Sequence, residues 1–584
     1  MLFTYGNLAR KNYLNYPQLI NFMVALNDYI IKSKLLDRNK IKNEIKEARI
    51  ALLSDFTING LGETLKALCF EEGIWASIYV APYNQYAQEI LNPQSQLYAS
   101  NPDILFVLLD PEISLDGSHS SDKRKELSEV RYEEIKGLLD EIKKHTNSKI
   151  VVNSLLLSVS SPFGILKFKE EFSADDAITS INKKLIEATK QDSQIFIFDT
   201  NTFRAKEGIA RFVDKKMHYL ADMRISPESL VSLAKEYMSY IYPLMSMTKK
   251  CLVLDLDNTL WGGILGEDGI EYIKLGPEKQ GKPFLDFQRK ILLLFERGVI
   301  LAINSKNNFE EVVKVLREHP YMALKEDNFA CIKANWNDKA TNIKEIAKEL
   351  NIGTDSMVFI DDDKTNRELV KTICPDVLVV DLPPDPVEYC DVIDSLSVFN
   401  TFSITEDDKN RGKMYISHKK RAELESASSD INSFIKQLNI KLTINKADKF
   451  SIPRIAQLTQ KTNQFNLTTR RYTEEEIKEF CDLGYIIYYI QIEDRFGDYG
   501  ITGVSIVKTD EEWSIDTFLL SCRVLGKKIE FNFMDEIVNN AKKNGVKKIT
   551  AEFIQTEKNI PAKSFLKDYG FEKEYGEKYI LKIS

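Results

Sequence analysis

No stretch of the 584 residues approaches the roughly 18 consecutive apolar residues that a membrane span requires. The opening Met1-Leu-Phe-Thr-Tyr-Gly6 lacks a basic segment running into an apolar core, so a cytoplasmic protein without a membrane partner is expected. Cysteine is scarce. The seven residues Cys69, Cys251, Cys331, Cys374, Cys390, Cys481 and Cys522 are scattered, odd in number and without metal-ligand spacing, which argues against a disulfide scaffold and against zinc. An excess of positive charge is also missing: 87 acidic and 79 basic residues are mixed along the chain, for a net charge of −8. No basic footprint for nucleic acid results. The length leaves room for about three domains, each with its own core.

What the chain does have is Cys251-Leu-Val-Leu-Asp-Leu-Asp-Asn-Thr-Leu-Trp-Gly-Gly263, an apolar run that ends in two carboxylates one residue apart. Such a run reads as a buried parallel strand, and open α/β sheets carry their sites beyond the carboxyl ends of their strands. In an extended exit, positions i and i+2 point the same way, so Asp255 and Asp257 can converge on one electrophile and one divalent cation. The plainer alternative is a pair of acids capping a turn, which would repel unless a cation joined them.

Before this stretch, strands and helices alternate. Strands are predicted at Ile50–Leu53, Ser77–Val80, Ile104–Leu109, Lys149–Val152 and Ile195–Phe198, after a helical stretch over residues 1 to about 45. The alternation predicts a largely parallel α/β domain over 1–249. Ser54 follows its first strand, and Asp214 and His218 lie near its end. That order resembles the SGNH hydrolase fold, but Gly-Asp-Ser is absent and Asp214 and His218 are four positions apart where the family pattern has three. A degenerate domain serving docking is therefore set beside a hydrolase.

From Lys250 the alternation restarts, with strands at Cys251–Leu254, Val299–Ile303, Cys331–Ile332, Met357–Ile360 and Val377–Val380. Polar clusters follow these strands on one edge: Asp255 and Asp257; Asn304 and Ser305; Lys339; and Asp361-Asp-Asp363. Phosphoryl transfer needs an in-line nucleophile and concentrated positive charge on the equatorial oxygens, which one lysine and one Mg²⁺ supply. The four clusters resemble the four motifs of the haloacid dehalogenase (HAD) superfamily. The resemblance implies that Asp255 is the nucleophile and Asp257 the acid and base. Ser305, with Asn304 and Thr259, would hold the phosphoryl group, and Lys339 would neutralise it. It further implies a Mg²⁺ site made by Asp255, Asp361, Asp362 and the Asp257 backbone carbonyl. About 45 residues separate Thr259 from Ser305, too few for a large cap, so Trp261–Pro283 is predicted to form a small flap.

Residues 250–395 are thus expected to be the phosphatase domain, 396–440 a charged helical connector and 441–584 a third domain. The third domain's strands, its turn with Arg523 and Gly526 and its Asn559–Phe571 segment resemble the GNAT acyltransferase fold. Arg523-Val-Leu-Gly526-Lys527-Lys528 lacks a second small residue, which suits the single phosphate of a phosphopantetheine arm better than coenzyme A. Cys522 stands beside these cations, either as an acyl-accepting thiolate or as a packed side chain.

The three-domain order, Ser54-Asp-Phe-Thr57, Leu458–Arg470 and Ser521-Cys-Arg-Val-Leu-Gly526 together resemble the FkbH-like proteins of HAD subfamily IIIC. That resemblance implies an SGNH-like, a HAD-like and a GNAT-like α/β domain in one chain. The implied activity takes phosphoglyceryl from an acyl phosphate, 1,3-bisphosphoglycerate, removes its phosphate and loads glyceryl on an acyl carrier protein. A phosphatase of free small molecules or sugar phosphates, or a noncatalytic assembly factor, stands as the alternative.

Overall fold

The computed structural model describes residues 26–38, 45–112, 120–161, 163–190, 192–404, 440–494, 497–521, 524–525 and 528–583. The chain divides into two compact units between Met245 and Ser246. Of the first predicted helix, Leu26–Leu35 is described. Residues 405–439 of the connector predicted over 396–440 and the turn residues Cys522, Arg523, Gly526 and Lys527 lie outside the described residues.

The first unit is a parallel sheet of β1 (Lys46–Ser54), β2 (Ile74–Val80), β3 (Ile104–Leu108), β4 (Lys149–Asn153) and β5 (Ile195–Phe198), in the order 2-1-3-4-5. β3 and β4 are buried along their whole length. Covering both faces is what makes such strands continuous apolar runs rather than alternating ones. Helix Pro227–Leu244 covers one face, with Tyr237 stacked on Phe106 at a centroid distance of 4.0 Å. The Ser173 and Asp176 capping box starts helix Ala174–Thr189 over the buried residues Ile178, Ile181 and Leu185.

The second unit carries two sheets. One is parallel, built from β6 (Cys251–Leu254), β7 (Ile300–Ser305), β8 (Phe329–Ala334), β9 (Met357–Asp361) and β10 (Leu378–Asp381) in the order 10-9-6-7-8. β6 lies at the centre, between β7 and β9. Every residue of β6 is buried.

The other sheet contains β11 (Lys441–Lys446), β12 (Phe465–Asn466), β13 (Ile486–Asp494), β14 (Gly497–Thr509), β15 (Trp513–Leu520), β16 (Lys548–Glu552), β17 (Glu572–Lys573) and β18 (Lys578–Lys582). Its main path runs 11-13-14-15-16-18-17. All pairs are antiparallel except β15 with β16, which are joined by helix Ile529–Lys543. A parallel pair needs such a crossover. Lys528 opens that helix at a φ of 57°, a left-handed position where glycine is the usual residue.

Candidate active site

The carboxyl edge of the β6-centred sheet gathers the predicted residues. Asp255 leaves β6 with its amide still donating to Ile360 of β9 (3.0 Å), which keeps the side chain in line with the strand. The chain then turns tightly. Thr259 and Leu260 amides both donate to the Leu256 carbonyl, and Asn258 adopts a φ of 51°. Tyr389 Oη donates to the Asn258 carbonyl (3.1 Å) and buried Gln288 donates to that of Leu260 (2.8 Å), so the turn is pinned from behind. Beyond it, Gly262 pairs with Lys274 to close a short flap. A Cβ at Gly262 would stand 2.8 Å from the Phe284 ring, so the flap approaches helix Lys282–Glu296 as closely as only glycine allows.

Lys339 is the first residue of helix Lys339–Glu349, whose amino end is capped by Asp338. Its side chain is 1% exposed. Nζ donates to Asp255 Oδ1 (2.5 Å) and to the Asn304 carbonyl (2.6 Å), and stands 3.1 Å from Asp361 Oδ2. Burial pulls the ammonium toward deprotonation, but Asp255 and Asp361 outweigh it and hold its pKa above the ordinary lysine value.

Asp255, Asp361 and Asp362 bring carboxylate oxygens within 4.8 Å of one another. Burial first, and then the charge of Asp255, raise the pKa of Asp361 despite the nearby lysine. Asp362 is pushed up to about 7 by burial, Asp255 and Asp361. Three carboxylates facing one ammonium leave a negative excess, and clustered oxygens with that excess suit a hard divalent cation. The residues present therefore fit Mg²⁺. Arg367 holds the loop behind them, donating from Nη1 to the carbonyls of Asp361 (2.7 Å) and Asp362 (2.5 Å) while Nε donates to Asp381 (2.8 Å).

The remaining predicted residues have more varied surroundings. Ser305 is buried at the end of β7. Asn304 is fully buried with its amide committed, Nδ2 donating to the Lys339 carbonyl (2.9 Å) and Oδ1 accepting from Asn342 (3.0 Å). Its side chain braces the lysine. Thr259 is also fully buried, and its hydroxyl makes no hydrogen bond. The Asp257 carboxylate accepts from Trp261 Nε1, the Leu265 amide and Asn307 Nδ2. Cys522 and Arg523 lie outside the described residues.

In the first unit, Ser54 Oγ accepts from the Phe56 amide, and Asp214 caps its own helix through the Lys216 and Met217 amides. His218 faces Arg224, which is itself held by Asp110 and Asp222. Asp214 is spent on the helix end instead of orienting a histidine.

Sequence reasoning missed Asn307, Asn342 and Arg367, and the bond from Trp261 to Asp257. Asn307 sits two positions beyond Ser305, the spacing that puts two residues of a strand exit on one side. That signal was readable. Nothing in the sequence distinguishes Arg367 from other helical arginines.

Fold and site together define a multidomain α/β protein with a HAD-like phosphatase fold at its centre. Residues 49–242 match the family described as FkbH, N-terminal domain. It is similar to the crystal structure of the N-terminal part of the protein BF1531 from Bacteroides fragilis, containing a phosphatase domain complexed with Mg. Identity is 28%, the match covers 65% of this chain and 99% of that one, and the TM-score is 0.59. A likeness to the ribosomal-protein-S18-alanine N-acetyltransferase of Escherichia coli covers 25% of this chain and 95% of that one, at 14% identity and a TM-score of 0.21. No curated protein matches the chain. Among the described residues, no helix is long and apolar enough to cross a membrane.

Proposed function

We propose that the protein is a Mg²⁺-dependent phosphatase that also transfers an acyl group, with phosphatase chemistry in residues 250–395 and acyl transfer in 441–584. The observation that carries the phosphatase reading is Lys339 Nζ standing between Asp255 and Asp361 at the edge of the central strand. In this reading Asp255 attacks phosphorus and becomes an aspartyl-phosphate, while Asp257 gives its proton to the departing oxygen and then takes one from the attacking water. Ser305 donates to a phosphoryl oxygen, and Lys339 fixes Asp255 and offsets charge on the transferring group. Mg²⁺, held by Asp255, Asp361, Asp362 and the Asp257 backbone carbonyl, would supply the second positive charge.

The substrate we propose is the phosphoglyceryl group of 1,3-bisphosphoglycerate, passed to the phosphopantetheine thiol of an acyl carrier protein. Cys522 is the proposed intermediate acceptor: its thiolate attacks the acyl carbon and expels phosphate, and the carrier thiol then displaces it. The Mg-bound phosphatase domain of the relative supports the Mg²⁺-dependent phosphatase reading, and the match to FkbH, N-terminal domain supports the family resemblance from which the acyl-transfer reading follows. Mass spectrometry of a pantetheinylated carrier incubated with the protein, Mg²⁺ and 1,3-bisphosphoglycerate tests it. A mass gain of one glyceryl group is expected. Phosphate release from free substrates with an unmodified carrier would leave a plain phosphatase.

A further inference from the structure

The Asp257 carboxylate is gripped from two directions, and the count of its hydrogen bonds shows which oxygen keeps an open position. Oδ1 accepts from the Trp261 indole Nε1 (2.9 Å) and from the Leu265 amide (3.0 Å), both on the flap side. Oδ2 accepts one bond, from Asn307 Nδ2 (2.8 Å). A carboxylate oxygen offers two in-plane acceptor sites, so Oδ1 is filled and Oδ2 keeps one site for a proton. The same Asn307 nitrogen also donates to Ser305 Oγ (3.1 Å), which uses both amide hydrogens. The ionised carboxylate only accepts, so the amide must present nitrogen and not oxygen to it.

Resting on the phosphatase reading above, we infer that Asn307 is a positioning residue serving two groups at once. By occupying an acceptor site of Ser305 Oγ, it leaves the serine hydrogen to donate elsewhere, toward the phosphoryl oxygen. By holding Asp257 Oδ2, it fixes the oxygen that keeps an open position on the Ser305 side of the carboxylate. Trp261 acts on Asp257 alone: it fills Oδ1 and so excludes the proton from the flap-side oxygen. Both residues are buried, Asn307 at 4% exposure and Trp261 at 0%, so water cannot replace their donors. Together they adapt the site to a poor leaving group, such as the alkoxide of a primary alkyl phosphate, whose departure depends on an acid.

The test compares full-length wild type with Trp261→Phe, Asn307→Leu and Asn307→Ala, each with Mg²⁺ and normalised to folded protein by circular dichroism. Two substrates are used: glycerol 3-phosphate, with a poor leaving group, and 4-nitrophenyl phosphate, with a good one. Vanadate inhibition reads the phosphoryl pocket separately. General-acid catalysis contributes about 10²–10⁴-fold. Trp261→Phe should therefore lose about 10-fold or more in kcat on the alkyl ester, stay within about 3-fold on the nitrophenyl ester and leave vanadate inhibition unchanged. Both Asn307 variants should weaken vanadate by about 10-fold and slow both esters to match, as loss of an aligned donor would, and should lose about a further 10-fold on the alkyl ester alone. Asn307 variants that slow both esters equally, or bind vanadate like wild type, overturn the inference while a working wild type keeps the phosphatase reading. A wild type that releases phosphate from neither ester overturns both.

Discussion

Replacing Lys339 by methionine removes the ammonium that lies between the Asp255 and Asp361 carboxylates, and the structure separates its effect on stability from its effect on rate. The side chain is 1% exposed and contacts Asp255 and Asp361 directly. Methionine fills similar volume, so packing is nearly conserved and the loss is electrostatic. Breaking a buried ion pair by deleting one partner costs about 3–5 kcal/mol, because the other charge stays buried. At about 2–4 °C per kcal/mol for a domain of this size, Tm of the metal-free variant should fall by roughly 10 °C. Mg²⁺ neutralises the same carboxylates, so it should raise the variant's Tm by more than it raises that of wild type. The rate should not recover with it: one lost transition-state contact costs about 10²-fold or more in phosphate release, and arginine should not restore it. Thermal melts in EDTA and in Mg²⁺, paired with phosphate release, check both limbs. A Met variant that melts within about 1 kcal/mol of wild type in EDTA, or turns over near the normal rate, would refute this reading of Lys339.

Asp255→Asn, nearly isosteric, should abolish phosphate release with the fold intact by circular dichroism, and EDTA should mimic it; turnover in the purified variant would remove Asp255 from the mechanism. In EDTA, stability should fall as pH rises from about 4 to about 7. The raised carboxyl of Asp362 (about 7) keeps a proton in the folded state that the unfolded chain has already released, and saturating Mg²⁺ should flatten that fall. Asp55, pushed up to about 6 by burial and then Asp110, adds a fall of the same sign over about pH 4–6 that Mg²⁺ leaves untouched. Asp55→Asn should remove it and stabilise the protein at pH 7.5 by up to roughly 3 kcal/mol; equal melts for the two proteins at pH 7.5 would count against the buried charge. Cys522→Ala should yield neither an acyl-enzyme adduct nor a loaded carrier by intact mass, and loading at the normal rate would point to direct attack by the pantetheine thiol.

The buried strands were legible because burial on both faces writes an unbroken apolar run: Cys251–Leu254 is predicted and observed with the same ends. The edge residues were legible because chemistry-bearing side chains must leave such strands at one end. Roles carried by a second hydrogen bond were not legible. Asn304 carries the same kind of polar group whether it meets a substrate or braces a lysine, and only its fully buried amide, committed to Lys339 and Asn342, tells which. Asp214 likewise reads as a catalytic acid or a helix cap until its bonds to the Lys216 and Met217 amides are known. Position along the chain fixes an element; donor and acceptor counts fix a role.

The strand order explains why the cation is a lysine with an asparagine framework beneath it. Asp255 follows directly on β6, whose two neighbours β7 and β9 deliver Ser305 and Asp361 at their ends. Lys339 follows β8, which is two strands from β6 and so about 10 Å away across the sheet. A side chain starting there must reach past β7 to touch the nucleophile, and a lysine's four-carbon stem suits that span with a compact charge at its tip. Reaching across β7 buries both the stem and the helix start, so their polar groups need partners on β7 itself. Asn304 supplies them twice: its carbonyl accepts from Nζ and its amide donates to the Lys339 carbonyl. Asn342, one turn further along the helix, then ties Asn304 to Asn335 on the loop before it. The buried asparagines are thus a consequence of placing the cation one strand beyond the nucleophile's neighbour, and they leave the carboxyl end of β7 to Ser305 and, just beyond it, Asn307.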